Sequence, residues 1–259
     1  MSGATYWCEH AWVGSGPDAS IADDVVVAVE DERISAVTVA TPPPPGATRL
    51  SGLTIPGLAN CHSHAFHRAL RGRTQRERGT FWTWREQMYA AAARLTPDTY
   101  YALSRATYRE MAVSGITAVG EFHYLHHGPD GRPYDDPNEM GKALISAATD
   151  AGIRIALLDT CYLTAGIGVP PDGVQVRFTD GSAQAWQTRV EALRQAYQGP
   201  GLVGAALHSV RAVPRAEMPL VADWAAHHAA PLHLHLSEQV AENDACAAAY
   251  GLTPTEVFA

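Results

Sequence analysis

The chain has 259 residues, long enough to bury a large core in one or two domains. With 46% hydrophobic and 18% charged residues, its composition is that of a folded globular protein and not of a disordered one. A formal net charge of -8 makes it a poor partner for phosphate backbones, which excludes general nucleic-acid binding.

Other classes fall away on local pattern. No run of roughly 18 apolar residues occurs, so no membrane span is expected. Met1 to Thr5 lacks a charged region followed by an apolar one, so no leader is expected. Cys8, Cys61, Cys161 and Cys246 are far apart with no CxxC pair, which argues against a zinc knuckle or redox motif. A cytoplasmic protein with reduced thiols is the default expectation.

The first part of the chain, residues 1–52, is expected to form a small β-rich domain. Asp24 to Glu30 and Arg33 to Val39 read as strands around a turn at Asp31-Glu32. Pro42-Pro43-Pro44-Pro45-Gly46 then ends any ladder or helix. From residue 53 to 259 the rhythm becomes strand then helix. Leu53 to Asn60 is a short apolar run interrupted by Pro56 and Gly57. Thr96 caps a helix that opens on Pro97 and stops near Gly115. Strands follow at Ile116 to Tyr124, Arg154 to Tyr162, Leu202 to Val210 and Pro231 to Glu238. Helices are expected between them at Asn138 to Ala151, Ser182 to Gln198 and Pro214 to Ala229, with a further helix after the last strand.

Five successive strand–helix units imply a parallel sheet with helical crossovers, as in a doubly wound sheet or a (β/α)8 barrel. No GxGxxG follows a strand, which counts against a dinucleotide fold. Polar residues gather at the carboxyl ends of the strands: His62 and His64, His123 and Tyr124, His208 and Arg211, His235 and Glu238. Barrel enzymes place their catalytic groups there.

In an extended segment His62 and His64 point to one side and can chelate one ion. His235, which faces the same way as His233 on its strand, supplies a third imidazole suited to zinc or another divalent transition metal. Glu238, three residues on, is placed to shuttle protons. Other histidines have plainer readings. His233 reads as a packed residue below the site, His10, His227 and His228 as surface or packing residues, and His126 and His127 as solvated loop residues, one of which could line the site.

The stretch Thr54-Ile55-Pro56-Gly57-Leu58-Ala59-Asn60-Cys61-His62-Ser63-His64 resembles the first-strand segment of the amidohydrolase superfamily. His235 to Glu238 looks like the fifth-strand His-x-x-Glu of its deaminase branch. Within that branch the resemblance is strongest to the formimidoylglutamate deiminases. It is carried by His62 to Leu70, by the aromatic-rich Phe81-Trp82-Thr83-Trp84-Arg85-Glu86-Gln87-Met88-Tyr89, and by Glu121 to His127 with Pro129-Asp130-Gly131.

The resemblance implies an α/β fold, the N-terminal portion of a (β/α)8 barrel, and hydrolysis of N-formimino-L-glutamate to N-formyl-L-glutamate and ammonia in histidine degradation. It implies one divalent ion, zinc, on His62, His64 and His235. Glu238 would protonate the imine nitrogen, and His208 would sit beside the formimino carbon. Arg85, Tyr124 and Arg211 would hold the two carboxylates, for which arginine forks are also apt on physical grounds. Many relatives are expected to carry Gln where His67 stands, and His67 could still donate to substrate.

The family's sixth-strand His and eighth-strand Asp have no counterpart in the five units. The expectation is therefore a piece of a longer enzyme, inactive unless a C-terminal piece completes it, and homodimerisation stays open. Two alternatives also stay open: a deaminase of purine, pyrimidine or triazine amines, and a degenerate barrel without chemistry.

Overall fold

The computed structural model describes residues 3–74 and 80–259. Met1 and Ser2, part of the stretch inspected for a leader, lie outside them. Residues up to Gly57 and residues from Leu58 onward form two separate compact units. Among the described residues no helix is long and apolar enough to cross a membrane.

The first unit is a four-stranded sheet in the order β3-β2-β1-β4, with β1 at Gly3–Val13, β2 at Ser20–Glu30, β3 at Arg33–Thr38 and β4 at Thr48–Thr54. Asp31 and Glu32 both have positive φ (46° and 63°), the left-handed pair that a two-residue hairpin needs to match strand twist. Strand β4 returns parallel to β1. Leu53 and Thr54 therefore belong to this sheet, not to the first strand of the following unit as their apolar run suggests. Cys8, Ala11 and Val25 are its buried core.

The second unit is a curled parallel sheet, half of a barrel, in the order β5-β6-β7-β8-β9. Its strands are β5 Leu58–Ser63, β6 Ile116–His123, β7 Arg154–Cys161, β8 Leu202–Leu207 and β9 Leu232–Leu234. The crossovers are helical: α1 at Phe81–Ala92, α2 at Pro97–Val113, α3 at Glu139–Ala151, α4 at Ala183–Ala196 and α5 at Met218–His227. Helices α6 at Val240–Tyr250 and α7 at Pro254–Phe258 follow β9.

Thr80 and Thr96 each close a capping box with a threonine three residues on, which fixes where α1 and α2 begin. Gly152 at φ 75° ends α3 in the left-handed conformation that glycine adopts without strain. Gly120 on β6 lets β5 approach, since a Cβ there would sit 2.7 Å from the Cys61 carbonyl oxygen. The strands β6, β7 and β8 are buried on both faces, and their side chains meet those of the helices in one apolar core.

Three local readings change. Helix α5 begins at Met218, four residues later than the proline at 214 suggests. Strand β9 is only three residues long, and His235 to Glu238 form a turn in place of strand continuation. His126 and His127 are buried, not solvated. Arg177, itself buried, holds this region together. Its guanidinium donates to the carbonyls of His127, Ala92 and Leu95, tying the end of α1 to the loop after β6.

Candidate functional site

His62 and His64 leave β5 on one side, and His235 reaches them from the end of β9. Their Nε2 atoms form a nearly equilateral triangle: 3.2 Å from His62 to His64, 3.2 Å from His64 to His235, and 3.4 Å from His235 to His62. The outward nitrogens explain the chemistry. His64 Nδ1 donates to the Phe122 carbonyl at 2.9 Å, and His235 Nδ1 donates to the His208 carbonyl at 3.1 Å. A carbonyl can only accept, so both rings carry their proton on Nδ1 and present a bare lone pair at Nε2.

The bare lone pairs of His64 and His235, 3.2 Å apart, repel one another unless a proton or a cation lies between them. The point equidistant from the three nitrogens is about 1.9 Å from each, close to a zinc–imidazole bond of about 2.0–2.1 Å. The donor set therefore fits a divalent ion. Burial disfavours protonation of all three: His62 is lowered, His64 is lowered well below 6.5, and His235 is held at about 4. Phe122 stacks on the His235 ring with centroids 4.3 Å apart and meets His62 and His64 on its edges.

A second group, His123, His126 and Asp159, also comes close enough to hold an ion. Its hydrogen bonds say otherwise. His126 Nε2 donates to the Thr160 carbonyl at 2.9 Å, which leaves its Nδ1 to accept from His123 Nε2 at 3.3 Å. Asp159 is already taken by both terminal nitrogens of Arg189 and by Trp186 Nε1. This group is a buried hydrogen-bonded network in which His123 Nδ1 alone is left without a hydrogen-bond partner among the described residues, with the Arg189 guanidinium already on Asp159.

All nine residues singled out in the sequence line one cavity of about 260 Å³: His62, His64, His67, Arg85, Tyr124, His208, Arg211, His235 and Glu238. His208 packs against His235 with ring centroids 5.0 Å apart, and burial keeps it neutral, well below 6.5. His67 Nε2 and the Tyr124 hydroxyl are 2.9 Å apart, and burial holds the His67 imidazole down to about 3. Aromatic walls come from Phe81, Trp84, Tyr89, Tyr162 and Phe178. Trp84 and Tyr89 lie in the aromatic segment already noted. Phe122 lies in the Glu121 to His127 segment already noted, whereas Tyr162, Phe178 and the buried Glu242 carry no sequence signal that sets them apart as site residues.

The two arginines differ. Arg85 on α1 lies over the Trp82 ring at 4.5 Å and the Tyr89 ring at 5.3 Å. Among the described residues it has no carboxylate partner. Arg211 is already engaged, donating to Glu238 at 2.5 Å and to Glu242 at 2.5 Å. Both cations are felt at Tyr162, whose hydroxyl burial pushes up while Arg211 and Arg85 act the other way. Glu238 reaches the cavity through a sharp turn in which Ser237 takes φ 56°, a strained value for a residue with a Cβ.

A sequence profile of the amidohydrolase family matches residues 53–259. The chain is 41% identical to the formimidoylglutamate deiminase of Pseudomonas aeruginosa, over 82% of this chain and 47% of that protein. An amidohydrolase from Brucella melitensis superposes with a TM-score of 0.89 at 34% identity, covering 98% of this chain and 56% of that one. An atrazine chlorohydrolase from Arthrobacter aurescens, solved in complex with zinc, shares the fold at a TM-score of 0.80 and 20% identity, over 98% of this chain and 57% of that one. The chain thus spans about half the length of the relatives it matches. With the profile covering most of its length and the histidine triangle in place, the chain belongs to the amidohydrolase family.

Proposed function

We propose that this chain carries the metal-binding and substrate-binding half of a formimidoylglutamate deiminase, which hydrolyses N-formimino-L-glutamate to N-formyl-L-glutamate and ammonia. The observation that carries the reading is Arg85, a cation without a carboxylate partner among the described residues, set in an aromatic frame and lining the same cavity as the three clustered imidazoles. An aromatic amine substrate would give such a guanidinium nothing to neutralise. A dicarboxylate would. The 41% identity to the Pseudomonas aeruginosa formimidoylglutamate deiminase supports the same choice.

His62, His64 and His235 would hold one divalent ion, and zinc is the proposed metal, as in the atrazine chlorohydrolase of the same fold. Such an ion supplies Lewis acidity that brings the deprotonation of water towards neutral pH. The remaining work falls to side chains. Arg85 and Arg211 bind and orient the two carboxylates, with the Tyr124 hydroxyl as a further donor. Neutral His208, beside His235, would sit next to the formimino carbon and donate to the oxygen that adds there. Glu238 carries a proton to the imine nitrogen, so that ammonia and not an amide anion departs. The aromatic walls exclude water from the rest of the cavity. The four cysteines, none of them in a disulfide, suit a reducing compartment such as the cytoplasm.

The test is to incubate the metal-loaded full-length enzyme, this chain completed by a C-terminal piece, with N-formimino-L-glutamate, follow ammonia, and identify N-formyl-L-glutamate by mass spectrometry. Absence of both products sinks the proposal.

A further inference from the structure

Arg211 sits between two carboxylates of unlike standing. Its Nη1 donates to Glu242 Oε2 and its Nη2 to Glu238 Oε2, each at 2.5 Å. Glu242, in the first turn of α6, is 3% exposed and does not line the cavity. It also accepts from the Glu238 backbone N–H at 3.4 Å. Glu238 is more open and shares the cavity wall with Arg211. One carboxylate is thus built into the frame, and the other is the group expected to move protons.

A carboxylate held this closely by a guanidinium is a poor proton carrier. The Glu238 oxygen that faces Arg211 has its lone pair engaged by the guanidinium N–H and is not free to bond a substrate proton. Glu238 and Arg211 line the same cavity, so a carboxylate that approaches Arg211 from the cavity meets the edge on which Glu238 sits.

We propose that Arg211 exchanges partners on substrate binding: Glu242 keeps one edge of the guanidinium, and a carboxylate of the substrate takes the other from Glu238, freeing Glu238 for proton transfer. This rests on the reading of the site as one for an anionic dicarboxylate imine. It makes Glu242 a positioning residue and makes the substrate's own charge a condition for its turnover. A substrate without that carboxylate would bind beside a Glu238 still locked in its ion pair.

The exchange can be read without catalysis. Glutarate, a dicarboxylate with no imine, is titrated calorimetrically into the metal-loaded wild type, Glu238→Gln, Arg211→Met and the double variant. Removing the competitor should tighten glutarate binding roughly tenfold in Glu238→Gln, the strength of one hydrogen bond to a charged group. The same change should have no effect in the Arg211→Met background, which separates exchange at Arg211 from a general loss of negative charge. Unchanged or weaker binding in Glu238→Gln overturns the proposal, and so does a gain that persists without Arg211.

A second arm needs no variant. Of the two substrate analogues that each lack one carboxylate, one should lose kcat at least tenfold and recover part of it with added acetate. The other should suffer mainly in KM. Losses confined to KM in both overturn the exchange while leaving the deiminase reading intact. No glutarate binding, or no turnover of N-formimino-L-glutamate by the enzyme completed with a C-terminal piece, overturns that reading and the exchange with it.

Discussion

Glu121 offers a prediction that can be worked through in numbers. It lies on β6 opposite Ser63, fully buried, and accepts from the Ala65 N–H at 2.6 Å, so it pins the chain just past His64. Burial raises its pKa from 4.5 to about 7, against the opposing effect of the Ala65 N–H and the Ser63 and Tyr108 hydroxyls. A carboxyl whose folded pKa lies above its unfolded value binds more protons in the folded state. Its contribution is fully present below 4.5 and is lost as pH rises through about 7. At about 1.4 kcal/mol for each tenfold change in proton affinity, the loss is about 3 kcal/mol. Glu121→Gln keeps an oxygen for the Ala65 N–H and does not titrate. Urea unfolding of both proteins at steps from roughly pH 4.5 to pH 8 should show the variant gaining on wild type by about 3 kcal/mol across that range. Histidine titrations shared by both proteins cancel in the difference. A difference that stays constant with pH, or that opens in favour of wild type, refutes the reasoning.

Further outcomes follow from the same packing. Arg177→Met strips the buried His127 and Leu95 carbonyls of their donor, at about 1–3 kcal/mol for each orphan, and leaves the Ala92 carbonyl only the Leu95 N–H. It should lower stability by about 3 kcal/mol or more in urea unfolding and raise KM, because the released helix α1 carries Trp84 and Arg85. Arg189→Met leaves Asp159 and Asp180 as unpaired buried carboxylates and should cost about 3–5 kcal/mol near neutral pH. Both acids are held below the ordinary carboxylate range with Arg189 as the main cause opposing burial, so the deficit should shrink as pH falls through that range. Elemental analysis should find zinc lost in His64→Ala and retained in His126→Ala. Zinc loss in the second variant alone would mean the two histidine groups have been assigned the wrong way round.

The half-barrel was legible in the sequence because buried parallel strands read as apolar runs that end on polar residues, and of those residues all but the buried His123 reach one cavity. The boundary at the first of these strands was less so. Leu53 and Thr54 look continuous with Leu58, and only the parallel pairing of β4 with β1 assigns them to the other sheet. Strand β1 carries no flanking turn signal as clear as Asp31-Glu32 and does not stand out. The loop histidines misled because their partners are distant: Asp180 meets His127 from 53 residues away, and Arg177 reaches its carbonyl from 50. The engagement of Arg211 by Glu242 is hidden for the same reason, being set by a turn through Ser237 that no periodicity announces.

The central claim is that one cavity joins a three-histidine metal centre to cationic forks for a dicarboxylate imine. The most direct measurement is ammonia release from N-formimino-L-glutamate and from guanine, side by side, by the metal-loaded full-length enzyme, this chain completed by a C-terminal piece, with Arg85 intact and with Arg85→Met. The account predicts release from the dicarboxylate imine alone, with kcat/KM falling at least roughly tenfold in Arg85→Met, the scale of one lost charge-assisted contact. Release from guanine that Arg85→Met leaves intact would contradict it.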